Sequence, residues 1–265
     1  MAALVEPLAL EMKLDLLLAE SYRSEAQRAR RLTEGWFATE MYCAACGNDS
    51  VQRQPNNTRA SDFLCVVCGA EFELKSGRKP LGATVPDGAF NAMIERLERQ
   101  GGGPHLVLLR YLPERMVVSD LIIVPAPFLT KSMILRRPPL ASTARRAGWV
   151  GCNIHIGDVP AAGRIVIVRD GVATLKVDAI RRLRQSSAVA GDLAERTWLV
   201  DTLRCVERLP REFALSEVYA FEPELKRRHP ANHHIRPKLR QQLQRLRNTG
   251  LLSFLGEGRY RRTIE

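Results

Sequence analysis

Four of the six cysteines fall into two CxxC pairs, and this feature limits the possible folds of the chain most strongly. The pairs are Cys43-Ala-Ala-Cys46 and Cys65-Val-Val-Cys68, separated by 18 residues. That spacing is typical of two knuckles that together offer four thiolates to one zinc ion. A thioredoxin-like redox motif would explain one pair but not the second. Since a four-thiolate shell has no open position for water, we predict a structural Zn²⁺ in a zinc-binding hairpin over residues 43–68.

The interpretation as a metal site depends on the compartment. The first residues show no cationic segment ahead of an apolar one, and Glu6, Glu11 and Asp15 interrupt the apolar runs. No stretch approaches 18 uninterrupted apolar residues, so we expect no membrane span. The sequence therefore predicts a cytoplasmic protein, and in a reducing cytoplasm clustered cysteines more often bind metal than form disulfides.

The net charge indicates the kind of partner. The 265 residues include 40 Lys and Arg against 29 Asp and Glu, a net charge of +11 on an otherwise ordinary globular composition. Residues 181–265 hold 18 of these cations and only 10 of the acids. Such an excess favours a polyanionic partner, either nucleic acid or an anionic membrane surface.

A stretch of small residues, 185–192, precedes most of the basic part and is typical of a linker. We therefore predict two domains, over residues 1–186 and 192–265. In the first, apolar spacing predicts a helix over 87–100, and three short apolar runs predict strands of a mixed sheet. These runs are His105–Tyr111, Val117–Val124 and Arg164–Val168. The first domain is therefore expected to be α/β.

The second domain is predicted to be a winged helix. Helical spacing covers residues 193–209, 216–228 and 236–248, with Ser216 as the expected N-cap of the second helix. Two short strands then flank Gly256-Glu257-Gly258. Three helices followed by a basic hairpin are typical of this DNA-binding fold.

Two carboxylates and a lysine accompany the second cysteine pair. On a strand, Glu73 and Lys75 share a face about 7 Å apart, and Asp62 could join them from a neighbouring strand. Two carboxylates that hold Mg²⁺ and a lysine that positions or deprotonates water suit phosphodiester hydrolysis. Taken alone, this pattern more often marks a solvated strand face. The zinc knuckle and the basic C-terminal domain favour the catalytic interpretation.

The spacing Asp62…Glu73-x-Lys75 resembles the PD-(D/E)xK nuclease motif, with Ser61 in place of the proline. Longer runs, among them SDFLCVVCGAEFELKS, RRPPLASTARRAGWVGCNI and IRPKLRQQLQRLRNTGLLSFLGEGRYRR, resemble the DpnI-like methyl-directed (type IIM) restriction endonucleases across nearly the whole chain. This resemblance implies a bacterial-type enzyme that cleaves double-stranded DNA at GATC sites containing N6-methyladenine, using Mg²⁺. It also implies that Asp62, Glu73 and Lys75 are catalytic and that the carbonyl of Leu74 is a further Mg²⁺ ligand beside Asp62 and Glu73.

One arginine-rich segment is a candidate reader of the methyl group. A methyl on adenine N6 projects into the major groove and needs an apolar surface, for which we predict Trp149. The alternative, that Trp149 packs under a loop, is nearly as strong from the residues alone. Four arginines of the same segment are predicted to contact DNA: Arg136, Arg137, Arg145 and Arg146.

The third helix of the winged helix is a second candidate reader. One face carries side chains that pair with guanine and adenine edges, and the hairpin carries arginines suited to phosphates. The predicted contacts are Arg236, Arg240, Gln241, Gln244, Arg245, Arg259 and Arg261. A solvated basic face is the alternative interpretation of this helix.

The alternative function for the whole protein is a non-catalytic zinc and winged-helix regulator that binds methylated DNA. We expect the protein to act as a monomer or through transient association on DNA.

Overall fold

The computed structural model describes residues 10–55, 61–99, 103–187 and 191–263. It divides into two compact units that are discontinuous in sequence. The first comprises Met1–Gly82, Gly103–Ala126 and Ile165–Arg184, and the second Ala83–Gly102, Pro127–Arg164 and Gln185–Glu265. Among the described residues, no helix has both the length and the apolar character needed to cross a bilayer.

The regular elements confirm an α/β chain. The strands are β1 Gln52–Arg53, β2 Phe63–Leu64, β3 Glu71–Gly77, β4 Val85–Ala89, β5 His105–Leu112, β6 Val117–Val124, β7 Ile134–Arg136, β8 Gly151–Ile154, β9 Ile165–Arg169, β10 Val172–Ala173, β11 Glu212–Ala214, β12 Leu252–Gly256 and β13 Arg259–Arg262. The α-helices are α1 Glu25–Glu40, α2 Phe90–Glu98, α3 Lys176–Ser187, α4 Leu193–Glu207, α5 Leu215–Tyr219, α6 Glu222–Arg228 and α7 Ile235–Asn248.

The first unit is built on a seven-stranded mixed sheet in the order β1-β2-β3-β5-β6-β9-β10. Strands β3 and β5 run parallel, whereas the other neighbouring pairs are antiparallel. The three predicted strands appear as β5, β6 and β9 within a residue of their expected bounds. Most of their apolar residues are buried, as expected for central strands.

Helix α1 covers one face of this sheet, and the apolar spacing of the sequence did not predict it. The Phe37 ring lies 4.6 Å from that of Phe63 and 6.3 Å from that of Phe72, measured between centroids. Farther along β3, the hydroxyl of Thr33 donates to Ser76 Oγ at 2.9 Å. Residues 72 and 76 of β3 therefore face α1, and the side chains of Glu73 and Lys75 point to the opposite face because strand residues alternate.

A small antiparallel sheet in the order β4-β8-β7 belongs to the second unit. It corrects the helix predicted over 87–100, because residues 87–89 belong to β4 and helix α2 begins at Phe90. Backbone pairing of Val85 with Ile154 and of Asp87 with Cys152 takes precedence over the local helical spacing. Strands β7 and β8 form a hairpin whose long connection carries Trp149.

The winged helix is present, with a three-stranded sheet in the order β11-β13-β12. The helix predicted over 216–228 is in fact two, α5 and α6, because Pro223 has no amide hydrogen to continue α5. The N-cap of α5 is Ala214 rather than Ser216, and the Ala214 amide donates to Glu217 Oε2 at 2.7 Å. Helix α3 extends into the predicted linker, and Asp192 is the N-cap of α4.

Hydrogen bonds tie helix α2 and the segment after β8 to the winged helix within the second unit. The fully buried Arg196 of α4 donates to the carbonyl oxygen of Leu97 at 2.5 Å. Arg204, also on α4, donates to Asp158 Oδ1 at 2.9 Å. The hairpin that carries Trp149 and the winged helix therefore belong to one compact body.

Candidate functional site

The four paired cysteines converge in the first unit. The Sγ atoms of Cys43 and Cys68 lie 3.6 Å apart, those of Cys46 and Cys65 lie 3.7 Å apart, and all four lie within 4.8 Å of one another. A tetrahedral shell with Zn–S bonds of about 2.3 Å has sulfur atoms about 3.8 Å apart. The cluster therefore has the donor set and the spacing to hold a metal ion such as zinc.

The two knuckles have the same backbone turn. The amide of Gly47 donates to the carbonyl oxygen of Cys43, and that of Gly69 donates to Cys65, both at 2.8 Å. Both glycines have a positive φ, 93° and 73°, which favours glycine over residues with a Cβ. The glycine after each second cysteine is thus part of the motif.

The ionisation of these thiols also suits a cation. Burial raises the pKa of Cys43 and of Cys68. Burial opposes ionisation of Cys65 too, but the amides of Cys68 and Val67 and the neighbouring thiols lower its pKa to about 7. Four crowded thiols do not all ionise without a balancing charge, which a bound metal ion supplies.

Helix α3 holds the first knuckle in place. The guanidinium of Arg184 donates to the carbonyl oxygens of Ala45 and Cys46 at 3.0 and 2.9 Å. A Cβ at Gly47 would lie 3.1 Å from Ile180 Cδ1, so the helix packs closely on the turn. The cysteine cluster thus joins a helix from late in the chain to the strands that carry the carboxylates.

Asp62 lies directly before β2 and is bound to β3 through its backbone and its side chain. Its amide donates to the carbonyl oxygen of Phe72, and its Oδ2 accepts from the amide of Leu74, both at 2.9 Å. The carboxylate of Asp62 therefore accepts the hydrogen bond from Leu74 that a backbone carbonyl of a neighbouring strand would otherwise accept. This arrangement fixes its position relative to the next residues of β3.

Glu73 and Lys75 lie together on the face of β3 that points away from α1. Their Oε1 and Nζ atoms are 2.7 Å apart, and the side chains are 12% and 25% exposed. Both are thus partly shielded from water yet accessible. In the structure, Glu73 and Lys75 therefore form an ion pair. Asp62 is hydrogen-bonded to Leu74, which lies between Glu73 and Lys75 in the sequence.

A cluster of charged residues near Asp62 was not predicted from the sequence. Glu34 of α1 is 5% exposed and lies 2.5 Å from both the Nε of Arg30 and a terminal nitrogen of Arg53. The hydrogen bond to Glu34, and the more distant charge of Asp62, raise the pKa of Arg30. The spacing of Arg30 and Glu34, four residues apart on α1, is a local signal for their pairing. The pairing of Arg53 with Glu34 has no local signal, because it depends on how β1 packs against α1.

The segment between β7 and β8 forms a compact turn, which we call the arginine–tryptophan loop (residues 137–150). Its backbone bonds include Leu140 N to Trp149 O at 2.9 Å and Gly148 N to Leu140 O at 3.0 Å. Gly148 has a φ of 77°, which closes the turn.

The tryptophan of this loop, Trp149, is half-buried, and the guanidinium carbons of Arg137 and Arg146 lie 5.6 and 4.9 Å from its ring centroid. Arg145 is exposed on this loop, whereas Arg136 lies at the end of β7 against the Phe90 ring.

Helix α7 presents most of its predicted contact residues to solvent. Arg236, Arg240, Gln241 and Gln244 are exposed, opposite a buried stripe that includes Leu239 and Leu243. Both arginines of this set are held at the surface by α5 and α6. Arg240 donates to the hydroxyl of Tyr219 at 2.8 Å, and Arg236 Nε lies 2.7 Å from a carboxylate oxygen of Glu222.

The other three predicted contacts in the winged helix are paired with acids. Arg245 is half-buried, and its guanidinium lies 3.3 Å from Glu195 on α4. On the hairpin, Arg259 and Arg261 are 60% and 47% exposed, and both face Glu212 of β11 at 4.0 and 2.8 Å. Arg245 is therefore directed toward α4, whereas the two hairpin arginines remain open to solvent.

Comparison with known families agrees with this architecture. Residues 10–190 match a family model described as DpnI, Dam-replacing family, and residues 194–262 match one described as DpnI_C, Dam-replacing HTH domain. The first implies a methylation-dependent restriction endonuclease, and the second indicates DNA binding. The two matches cover nearly all of the described chain, and the first alone covers more than half of it. The chain therefore belongs to the DpnI, Dam-replacing, family.

Proposed function

We propose that the protein is a type II, methyl-directed deoxyribonuclease that cleaves double-stranded DNA at GATC sites containing N6-methyladenine. One observation carries the proposal. Asp62 is fixed to the amide of Leu74, and the flanking residues Glu73 and Lys75 form an ion pair on the accessible face of β3. This arrangement of two carboxylates and a lysine has the chemistry of metal-assisted phosphodiester hydrolysis.

Asp62, Glu73 and the carbonyl of Leu74 would hold Mg²⁺, since carboxylate and carbonyl oxygens are the ligands this ion prefers. The ion would stabilise the negative charge that develops on the phosphate and on the leaving oxygen. Lys75 Nζ positions the attacking water as an ammonium, or accepts the proton of that water as a free amine. The water oxygen bonds to phosphorus while the bond to the leaving oxygen breaks, and the leaving oxygen takes up a proton. Glu73 Oε1, 2.7 Å from Nζ, keeps the lysine oriented.

We propose that the cysteine cluster binds Zn²⁺ with a structural role. Its four thiolates leave no ligand position for substrate or water. The cluster joins the α3 side of the unit to β2 and β3, which carry the catalytic residues. Its function would be to keep those strands in place.

We propose that methylated adenine is read by the second unit. Trp149 supplies an apolar surface for the methyl group, and Arg136, Arg137, Arg145 and Arg146 hold the DNA backbone around it. In the winged helix, α7 enters the major groove and the hairpin holds phosphates. The residues proposed there are Arg236, Arg240, Gln241, Gln244, Arg245, Arg259 and Arg261.

We further propose a catalytic domain over residues 1–186, a winged-helix domain over 192–265, and action in a bacterial-type cytoplasm as a monomer or through transient association on DNA. The family matches change between residues 190 and 194, close to the proposed boundary. The compact units divide the chain differently, because they group the β4-β8-β7 sheet with the winged helix.

One assay separates this function from a non-catalytic regulator that binds methylated DNA. The protein and Mg²⁺ are incubated with one plasmid prepared from adenine-methylating and from non-methylating hosts. Cleavage of the methylated plasmid alone, stopped by EDTA, supports the nuclease. Retention of methylated DNA without cleavage supports the regulator. Selective cleavage of unmethylated DNA contradicts both.

A further inference from the structure

The backbone of Trp149 is held by its own loop. Its amide donates to the carbonyl oxygen of Arg146 at 3.0 Å, and its carbonyl oxygen accepts from Leu140 at 2.9 Å. The amide of Arg137 donates to the carbonyl oxygen of Gly151 at 3.0 Å, which closes the base of the loop. With its Cα fixed in this way, the indole ring has only two side-chain torsions left to vary.

The indole lies directly against the backbone of Gly151, at the start of β8. A Cβ at this glycine would lie 2.8 Å from Trp149 Cη2 and 2.7 Å from Arg137 Nε. Real Cβ atoms do not approach other atoms so closely. The flexible arginine could move aside at little cost, but the rigid ring would have to rotate.

Arg137 also packs against the indole ring of Trp149. Its guanidinium carbon lies 5.6 Å from the indole centroid, while its Nε and one terminal nitrogen lie over Gly151. Cations at this distance from an aromatic ring favour one orientation of the ring. Gly151 and Arg137 therefore both lie close to the Trp149 ring, and Arg146 lies over the same ring at 4.9 Å.

We propose that Gly151 and Arg137 are positioning residues that fix the orientation of the Trp149 indole for reading a methyl group. The proposal rests on the proposed role of Trp149. A methyl group gains from an apolar surface only in van der Waals contact, so rotation of the ring removes the gain. One methyl group in an apolar site changes specificity by about 10–200-fold, which sets the size of the expected effect.

The test compares Gly151→Ala with Gly88→Ala, a matched control in the same small sheet whose added Cβ would meet nothing within 4 Å. Cleavage of methylated and unmethylated GATC duplexes is measured for each, as a ratio of kcat/KM values. Gly151→Ala should lower this ratio at least about tenfold. Gly88→Ala should leave it unchanged. A wild-type ratio in a folded Gly151→Ala protein would overturn the proposal.

Arg137→Ala is the second variant, and it decides the question if Gly151→Ala fails to fold. Loss of a phosphate contact would weaken the binding of both duplexes equally, so a fall in the ratio isolates the positioning role. An unchanged ratio would overturn that role.

Acrylamide quenching of tryptophan fluorescence gives a readout that does not depend on cleavage. Trp36 and Trp198 are buried, so the half-buried Trp149 dominates quenching. Both variants should change it, and unchanged quenching in both would overturn the proposal. Trp149→Ala distinguishes failure of the proposed reading role of Trp149 from failure of the positioning role of Gly151 and Arg137. If that variant keeps the methyl preference, the proposed reader itself is wrong. If it loses the preference while both positioning variants keep it, only the present proposal is wrong.

Discussion

The proposed catalytic charges of the first unit and the predicted DNA contacts of the second unit are held in opposite ways. In the first unit, the charges near β3 are bound to the backbone or buried against partners, as with Asp62 on the Leu74 amide and Glu34 between two arginines. In the second unit, the predicted DNA contacts are mostly exposed arginines that lie on aromatic rings or surface carboxylates.

This difference matches the two tasks. Bond cleavage requires groups held within a fraction of an ångström of a productive geometry, which only fixed partners provide. Contacts to DNA phosphates require cations that can exchange their partners in the free protein for phosphates. Exposed ion pairs suit this exchange, because they contribute little stability. The following predictions test this contrast from the largest expected effect to the smallest.

Removal of one metal ligand should have the largest effect. Cys46→Ala should abolish stoichiometric zinc binding and lower the melting temperature of the first unit steeply, since the binding energy of a structural zinc is folding energy. Zinc content by elemental analysis and thermal unfolding measure this. The matched control is Cys205→Ala, which removes a buried thiol outside the cluster and should keep the zinc at a cost of about 1 kcal/mol. Full zinc content in Cys46→Ala would disprove the four-thiolate site.

Loss of the catalytic charges should slow cleavage strongly without preventing folding. Asp62→Asn keeps an oxygen for the Leu74 amide, so we expect near-wild-type stability with a fall in cleavage rate of about 10²–10⁴-fold. Lys75→Ala should show a similar fall while still binding methylated DNA. The control Lys79→Ala changes an exposed lysine just after β3. If Asp62→Asn cleaves at the wild-type rate, the proposed metal site is wrong.

Loss of one hairpin arginine should have the smallest effect. Arg261→Ala should weaken binding to methylated and unmethylated DNA alike, and it should reduce the slope of log K against log salt by about 1. Fluorescence anisotropy at several salt concentrations measures this, with Arg169→Ala, an exposed arginine in the first unit, as the control. A change in methyl preference with an unchanged slope would contradict a pure phosphate contact.

Local patterns predicted the parts whose cause is local. The spacing of the cysteines predicted their convergence, and apolar spacing predicted β5, β6 and α7 with nearly correct bounds. The helix over 216–228 was wrong because a single proline, Pro223, outweighed an otherwise helical pattern.

Parts that depend on distant partners were not predictable. From the sequence alone, Glu34 resembles a solvent-facing helical residue. Its burial follows only from the position of Arg53, 19 residues later, beside it in the structure. Likewise, the bond from Arg196 to the carbonyl oxygen of Leu97 joins positions 99 residues apart, and no periodic pattern could show that α2 meets the winged helix. The grouping of the arginine–tryptophan loop with α7 follows from such contacts.

The central claim, that the fixed charges of β3 cleave DNA marked by a methyl group, is tested most directly on a defined duplex. The duplex carries one GATC site, either unmethylated or with N6-methyladenine on both strands, and cleavage is followed over time with Mg²⁺. We predict that the wild type cleaves only the methylated duplex, and that Lys75→Ala cleaves it about 10²–10⁴-fold more slowly. Equal cleavage of both duplexes, or undiminished cleavage by Lys75→Ala, would contradict the claim.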